Sequence, residues 1–373
     1  MKFVVLGYGK IGRAIVHDLS KNPLKVPVEV YDPFCSEADL PSGVRLIKSD
    51  PFSQIEEQKV FDHENVIVSA LPAPLRERLF RAAANNGSRL VDVTFGNDDP
   101  YKYLPKQQNG RFVIIPDCGL APGLSNLLVG GLSVYFDELE DVRIYVGGIP
   151  ERPVPPLDYK ITFSAESVID EYVNPARIIE NGQVITKEAL SDIEEFVSED
   201  AEGAFEAFLT DGLRTLLHFS KRPKNMFEKT IRYRGHAEKI KVLRDLGFLD
   251  SSEIVSGKGA VIPRKITETL FDRKLRNQNV GDIVLLKVKL TGTRHGKKTE
   301  KSASLKYVSP ANSLFSGMAI TTGYTASVTA QFLMDGTIKA GGLLPIEDIA
   351  TEKGMLDRYV KELMARGIAL KIS

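Results

Sequence analysis

Apolar residues follow two rhythms along this chain, and the change from one to the other divides it. Over the first 120 residues, short and almost wholly apolar runs at 2–6, 27–31, 44–47, 65–70, 89–93 and 111–115 predict buried parallel strands. Helical spacing fills the gaps from 10 to about 20 and from 72 to 86. In the second of these, Leu75, Leu79 and Ala83 recur on one face, a proline sits near the start, and Asn86-Gly87 ends the helix. Such alternation predicts an α/β chain beginning with a Rossmann doubly wound sheet.

From Pro122 the rhythm changes. One linking helix is expected over 123–136, then strands at 142–146, 159–163 and 178–185, the last broken by the hairpin signal Asn181-Gly182. Runs at 284–290 and 302–308 pair naturally around the loop 293–298. Helices are expected at 326–332 and 355–365. The division that follows is a nucleotide-binding domain at 1–121, an α+β substrate and dimerisation domain with a mostly antiparallel sheet at 122–324, and C-terminal helices at 325–373.

Composition narrows the class. The 373 residues are 43% hydrophobic and 26% charged, the balance of a soluble globular protein. Lys plus Arg equals Asp plus Glu at 49 each, so no global field favours nucleic acid or an anionic membrane. The chain opens on a strand rather than a leader, no apolar run reaches about 18 residues, and the two cysteines and five histidines show no metal or disulfide spacing. A cytoplasmic, metal-free protein acting on a small molecule is the expectation.

The first candidate site is Gly7-Tyr8-Gly9-Lys10-Ile11-Gly12, placed between the first strand and the first helix. Gly7 suits the tight turn, Gly9 admits a pyrophosphate to the backbone, and Gly12 lets helix and strand pack closely. The helix start adds unpaired N–H groups and a favourable dipole. Asp32, twenty residues on, would accept from a ribose 2′-hydroxyl and repel a 2′-phosphate, which favours NAD over NADP. Ligands on such sheets bind beyond the carboxyl ends of the strands. Ala70, Leu71 and Pro72 would therefore line the nicotinamide ribose, with Thr94, Phe95, Asp117 and Cys118 around the ring.

Proton-exchanging groups are also needed. Asp117 is one candidate, with helix capping as its other reading. Cys118 reads as a small packing residue more readily than as a nucleophile. Thr210-Asp211-Gly212-Leu213-Arg214-Thr215 is expected to open a helix capped by Thr210 or Asp211, with Arg214 in its first turn. A cation disfavoured there by the dipole would be explained by a carboxylate ligand. The strand before His236 places Thr230 and Arg232 on one face, and His236 is expected to cap the following helix. His236 and Lys160 remain open as proton carriers or structural groups.

Together these segments resemble the saccharopine dehydrogenase family, most closely its L-lysine 6-dehydrogenases. The resemblance covers essentially the whole chain. It is carried by the run from Asp117 to Asn126, by Tyr145-Val146-Gly147-Gly148-Ile149-Pro150, by Tyr159-Lys160-Ile161-Thr162-Phe163-Ser164 with Asp170-Glu171-Tyr172, by the run from Thr210 to Thr215, by Gly235-His236-Ala237-Glu238, and by Thr321-Thr322-Gly323-Tyr324. It implies NAD-dependent oxidative deamination of the lysine ε-amine to 2-aminoadipate 6-semialdehyde, which cyclises to a piperideine carboxylate. Asp117, His236 or Lys160 would take the proton, Arg214 or Arg232 would hold the α-carboxylate, and a homodimer or higher homo-oligomer is expected. The chain departs from the family in carrying Thr94 where a serine is usual and Arg234 where a proline precedes Gly-His. Two alternatives stand beside this reading: reductive C–N coupling of the saccharopine or carboxynorspermidine type, and a non-catalytic NAD-binding regulator.

Overall fold

The apolar runs that open the chain become β1 (Phe3–Leu6), β2 (Val28–Tyr31), β3 (Val44–Ile47), β4 (Val66–Ser69), β5 (Arg89–Asp92) and β6 (Val113–Ile115). Between them lie α1 (Lys10–Leu19), α2 (Gln54–Val60) and α3 (Arg76–Asn85), and α4 (Leu124–Ser133) follows. The computed structural model describes residues 1–36, 39–96, 98–104, 111–257, 259–276, 279–339 and 341–373. α3 begins later than its apolar spacing implied, because a single 3₁₀ turn, Ala73–Leu75, intervenes after Pro72.

The middle of the chain supplies β7 (Glu138–Pro150), α5 (Ala165–Val173), β8 (Ala176–Glu180), β9 (Gln183–Lys187), β10 (Glu194–Phe196), β11 (Phe205–Leu209), β12 (Asn225–Tyr233) and α6 (His236–Asp245). A small hairpin of β13 (Ile254–Ser256) and β14 (Gly259–Val261) precedes α7 (Pro263–Leu275), and β15 (Asp282–Arg294) and β16 (Lys297–Ser309) follow. The end of the chain holds α8 (Gly317–Met334), β17 (Gly342–Leu343), α9 (Ile346–Ala350), α10 (Met355–Ala365) and β18 (Leu370–Ile372).

Two compact units result, each assembled from separated stretches of sequence. One comprises 1–134, 214–219 and 319–368, and the other 135–213, 220–318 and 369–373. The first is built on a seven-stranded parallel sheet in the order β17-β6-β5-β4-β1-β2-β3, the doubly wound arrangement. Its core joins Val4, Leu6, Leu79, Phe80, Leu90, Ile114 and Leu343. Asp18 of α1 takes Ser327 Oγ at 2.6 Å, Gln331 Nε2 at 3.3 Å and Arg366 Nε at 2.9 Å, so the last helices and the first share one buried carboxylate. The second unit carries a mostly antiparallel nine-stranded sheet in the order β10-β11-β12-β7-β15-β16-β18, with β8 and β9 off that path. No helix among the described residues is long and apolar enough to cross a membrane.

Two local expectations fail. The apolar run 159–163 is irregular chain rather than a strand, because Tyr159 and Ile161 are buried against α5 and α7 instead of alternating across a sheet. The 210–215 segment opens no α-helix, only a 3₁₀ turn, Arg214–His218. Asp211 is turned toward a bidentate pair with Arg177, at 2.6 and 2.9 Å, and Thr210 toward Glu228, so neither side chain caps.

Candidate functional site

In the first unit the glycine loop leaves β1 with Gly7 N–H donating to the Tyr31 carbonyl at 3.0 Å. A Cβ on Gly12 would lie 2.0 Å from the Gly7 carbonyl oxygen, so only glycine permits this contact between α1 and the loop. Gly9, the N-cap of α1, has open space where its Cβ would be and supplies no side-chain cap. An uncapped helix start beside open space fits a pyrophosphate. Asp32 stands beyond the end of β2. Its carboxylate accepts from Tyr8 N–H at 2.7 Å, Phe34 N–H at 2.8 Å and Cys35 N–H at 3.0 Å. The Tyr8 amide is therefore committed to Asp32, and the Tyr8 hydroxyl donates to the Asp39 carbonyl at 2.7 Å. Lys10 and Ile11 open α1, and Ala70-Leu71-Pro72 leaves β4 with the Ala70 carbonyl pressed against Gly7.

Beyond β5 and β6 lies a buried ionic set. Arg76, the first residue of α3, gives Nε to Asp92 at 2.9 Å and Nη2 to Asp117. Arg214 gives Nε and Nη2 to the same Asp117 at 3.3 and 3.4 Å. The side chains of Arg76, Asp92 and Arg214 are 0% exposed. Burial pushes the Asp117 carboxyl up, but the Arg214 and Arg76 guanidiniums outweigh it and hold the carboxyl below the usual range. Burial raises Asp92 against the pull of Arg76. An Asp117 fixed as the carboxylate by two cations is a strong anchor and a poor base. The geometry favours anchoring over proton transfer for this residue.

Asp117 and Arg214 have backbone φ of +53° and +52°. For non-glycine residues the left-handed region costs about 1–2 kcal/mol each, and paired outliers of this kind cluster at ligand sites. The unusual backbone, rather than a helix dipole, sets Arg214 apart. One of its nitrogens, Nη1, has no hydrogen-bond partner among the described residues, nor has Nη1 of Arg76. Thr94 Oγ1 lies 2.6 Å from an Asp92 carboxylate oxygen and 3.1 Å from the Leu71 carbonyl, so its one proton is taken up within the protein, while Phe95 beside it is half-buried. Cys118 is buried, with Sγ 3.2 Å from the Thr329 hydroxyl, and burial pushes its thiol up to about 12. It is a packed thiol, not a nucleophile.

The remaining candidates lie in the second unit. Arg232 gives Nη2 to Glu171 at 2.7 Å and Nη1 to the Ile231 carbonyl, and lies 4.6 Å over the Tyr159 ring. His236 does not cap α6; it is the first helical residue after Gly235, and its side chain points inward. Its Nδ1 contacts the Leu157 carbonyl at 2.7 Å and its Nε2 the Tyr172 hydroxyl at 2.9 Å. Burial and the Arg232 charge depress it to about 3. With both nitrogens engaged, it serves the fold and not proton transfer. Thr230 is 2.9 Å from the Thr210 hydroxyl, and Lys160 Nζ donates to the Val280 carbonyl.

A prediction follows from His236. The unfolded imidazole takes a proton near pH 6.5 and the folded one only near 3, so wild-type stability falls as pH falls through that window, by up to about 1.4 kcal/mol per unit. His236→Asn is expected to remove this slope, measured by urea unfolding at pH 7 and 5, and to leave the pH profile of turnover without a lost limb near 6.5.

The sequence pattern of the saccharopine dehydrogenase C-terminal domain matches residues 119–368. The chain belongs to the saccharopine dehydrogenase family. Like the family, it is an oxidoreductase. Saccharopine dehydrogenase [NADP(+), L-glutamate-forming] of Saccharomyces cerevisiae is 22% identical over 91% of this chain and 92% of its own length. A solved apo structure of saccharopine dehydrogenase (L-Glu forming) from that yeast superposes with a TM-score of 0.79 at 20% identity, covering 100% of this chain and 99% of the other, which shows a shared fold. The α-aminoadipic semialdehyde synthase of Arabidopsis thaliana is 25% identical over 56% of this chain and 21% of its own length. Arg76 and Asp92 are members of the buried set that the sequence did not disclose. The available signal was position: Arg76 follows the end of β4 and Asp92 ends β5, both at the sheet edge where ligands bind.

Proposed function

We propose that the protein catalyses the NAD-dependent oxidative deamination of the L-lysine ε-amine, giving 2-aminoadipate 6-semialdehyde and ammonia. The observation that carries this reading is the ionic set at the carboxyl end of the parallel sheet. There Arg214, anchored by Asp117, keeps Nη1 unpartnered on the unit that bears the glycine loop. An amino-acid carboxylate completes such a guanidinium, and fixing one end of the substrate fixes the reach of the other.

Gly9, the amides at the start of α1 and Asp32 would hold the cofactor. When bound, the nicotinamide accepts hydride from the carbon bearing the amine. The substrate's ammonium must also shed a proton, since only the neutral amine has the lone pair to form the imine that water then hydrolyses. Asp117 is held too low and His236 too deep for that step, so Lys160 is the group to test. The segments around Lys160 and Arg214 carry the likeness to the lysine 6-dehydrogenases. A second reading, reductive coupling of a semialdehyde with an amino acid, draws support from the full-length match to the glutamate-forming yeast enzyme.

The deciding experiment offers the purified protein L-lysine with NAD or NADP over pH 7–10. Reduction of the nicotinamide with release of ammonia is expected. Silence with lysine, together with oxidation of the reduced nucleotide by semialdehyde plus glutamate, would transfer the assignment to the coupling reaction. Nucleotide binding without turnover of any such substrate would make it a regulator. For the cofactor, Asp32→Ala is expected to lower the NAD-over-NADP affinity ratio at least tenfold, about 1.4 kcal/mol, in a fluorescence titration. An unchanged ratio would remove Asp32 from discrimination.

A further inference from the structure

The segment 210–215, which bears Arg214, is fastened at both ends by buried acids that the reaction itself does not call for. At its start, Thr210 Oγ1 donates to Glu228 Oε1 at 3.0 Å and lies 2.9 Å from Thr230 Oγ1. The other oxygen of Glu228 is pressed against the segment: a Cβ on Gly212 would fall 1.5 Å from Oε2. Glycine at 212 is what allows the turn to close over that carboxyl. At the far end, Asn126 Nδ2 donates to Thr215 Oγ1 at 3.2 Å and to Glu347 Oε2 at 3.4 Å, and Glu347 also hydrogen-bonds the Thr215 hydroxyl. Glu228 is 4% and Glu347 1% exposed.

We propose that Glu228 and Glu347 are positioning residues: each fastens one end of this segment, and together they hold Arg214 in the left-handed conformation that presents it to Asp117. The inference rests on the reading of Arg214 as the carboxylate anchor. A left-handed arginine relaxes to ordinary backbone unless its neighbours are fixed on both sides, and fixed neighbours are what the two carboxyls supply. Their own ionisation opposes burial. Glu228 is pushed up to about 8 by burial, with Glu171 and Asp211 adding to it, and Glu347 to about 8 by burial, with Asp348 adding to it. Burial therefore favours the neutral form of both, and glutamine, which keeps the shape and the accepting oxygen without the charge, is the conservative replacement.

The test compares Glu228→Ala and Glu347→Ala with Glu228→Gln and Glu347→Gln. Hydrogen exchange of the peptide covering 210–215 is read without substrate. KM is read separately for NAD and for whichever amine the wild type oxidises. The alanine chains are expected to exchange at least tenfold faster in that peptide and to raise the amine KM at least tenfold, with the NAD KM within twofold. The glutamine chains should lie within threefold of wild type in each respect. If the alanine chains do not fold, Thr210→Val and Thr215→Val, which remove only the hydroxyls, carry the same expectation. Unchanged exchange over 210–215, or equal losses for amine and NAD, would overturn the proposal. Because exchange needs no substrate, a protein that shows the expected pattern but never oxidises lysine would lose the reaction and keep the clamp.

Discussion

Replacing Arg76 by methionine is expected to destabilise the first unit by about 3–5 kcal/mol and to lower kcat/KM at least a hundredfold. Methionine fills much of the same volume, so the loss is electrostatic. Asp92 and Asp117 would face each other, buried, with Arg214 alone to neutralise them. The sign with pH is fixed by the same geometry. Without Arg76, Asp92 rises further and Asp117 loses much of the pull that holds it low, so ionising the buried pair costs more in the folded chain and the deficit grows as pH rises above about 4 and shrinks toward pH 4–5. Urea unfolding of wild type and variant at pH 5 and 8 would show a deficit clearly larger at pH 8. A deficit independent of pH would mean that Arg76 acts by packing, against Phe80 above all, where its guanidinium lies 5.1 Å from the ring.

The second large effect is expected at Gly12. In Gly12→Ala the added carbon meets a backbone oxygen rather than a movable side chain, at 2.0 Å from the Gly7 carbonyl. Either α1 moves outward or the loop shifts, and both displace the amides that face the pyrophosphate. NAD affinity should fall at least a hundredfold, with about 1–3 kcal/mol of lost stability, read by titration and by thermal unfolding. Retained affinity would show that the loop does not bind the nucleotide in the expected way.

Much of this was legible because short-range rules decided it. β1, α1 and β2 stand where the apolar runs and glycines put them, and Asn181-Gly182 and His295-Gly296 turn the hairpins whose strands alternate in the sequence. The ionic set was only half legible. Asp117 and Arg214 stood out by motif, but Arg76 reads as an ordinary surface cation in a helical first turn, and nothing local announces a partner 41 positions away. At 210–215 a capping pattern failed because Thr210 and Asp211 found stronger partners in Glu228 and Arg177 than in their own backbone. His236 looked chemical because it stands beside arginines. Its burial under Tyr159 and Tyr172 comes from tertiary packing that a sequence window does not contain.

The sheet of the first unit ends on β17, only thirty residues before the C-terminus, and that has a consequence during synthesis. A nascent chain that has emerged as far as Val134 already carries β1 to β6 but leaves the apolar edge of β6 unpaired, since Gly342 and Leu343 are not yet made. At bacterial to eukaryotic translation speeds the intervening stretch takes roughly 10–40 s to appear. For that interval the growing polypeptide carries a strand edge whose partner has not yet been made, the kind of edge that other chains can pair with.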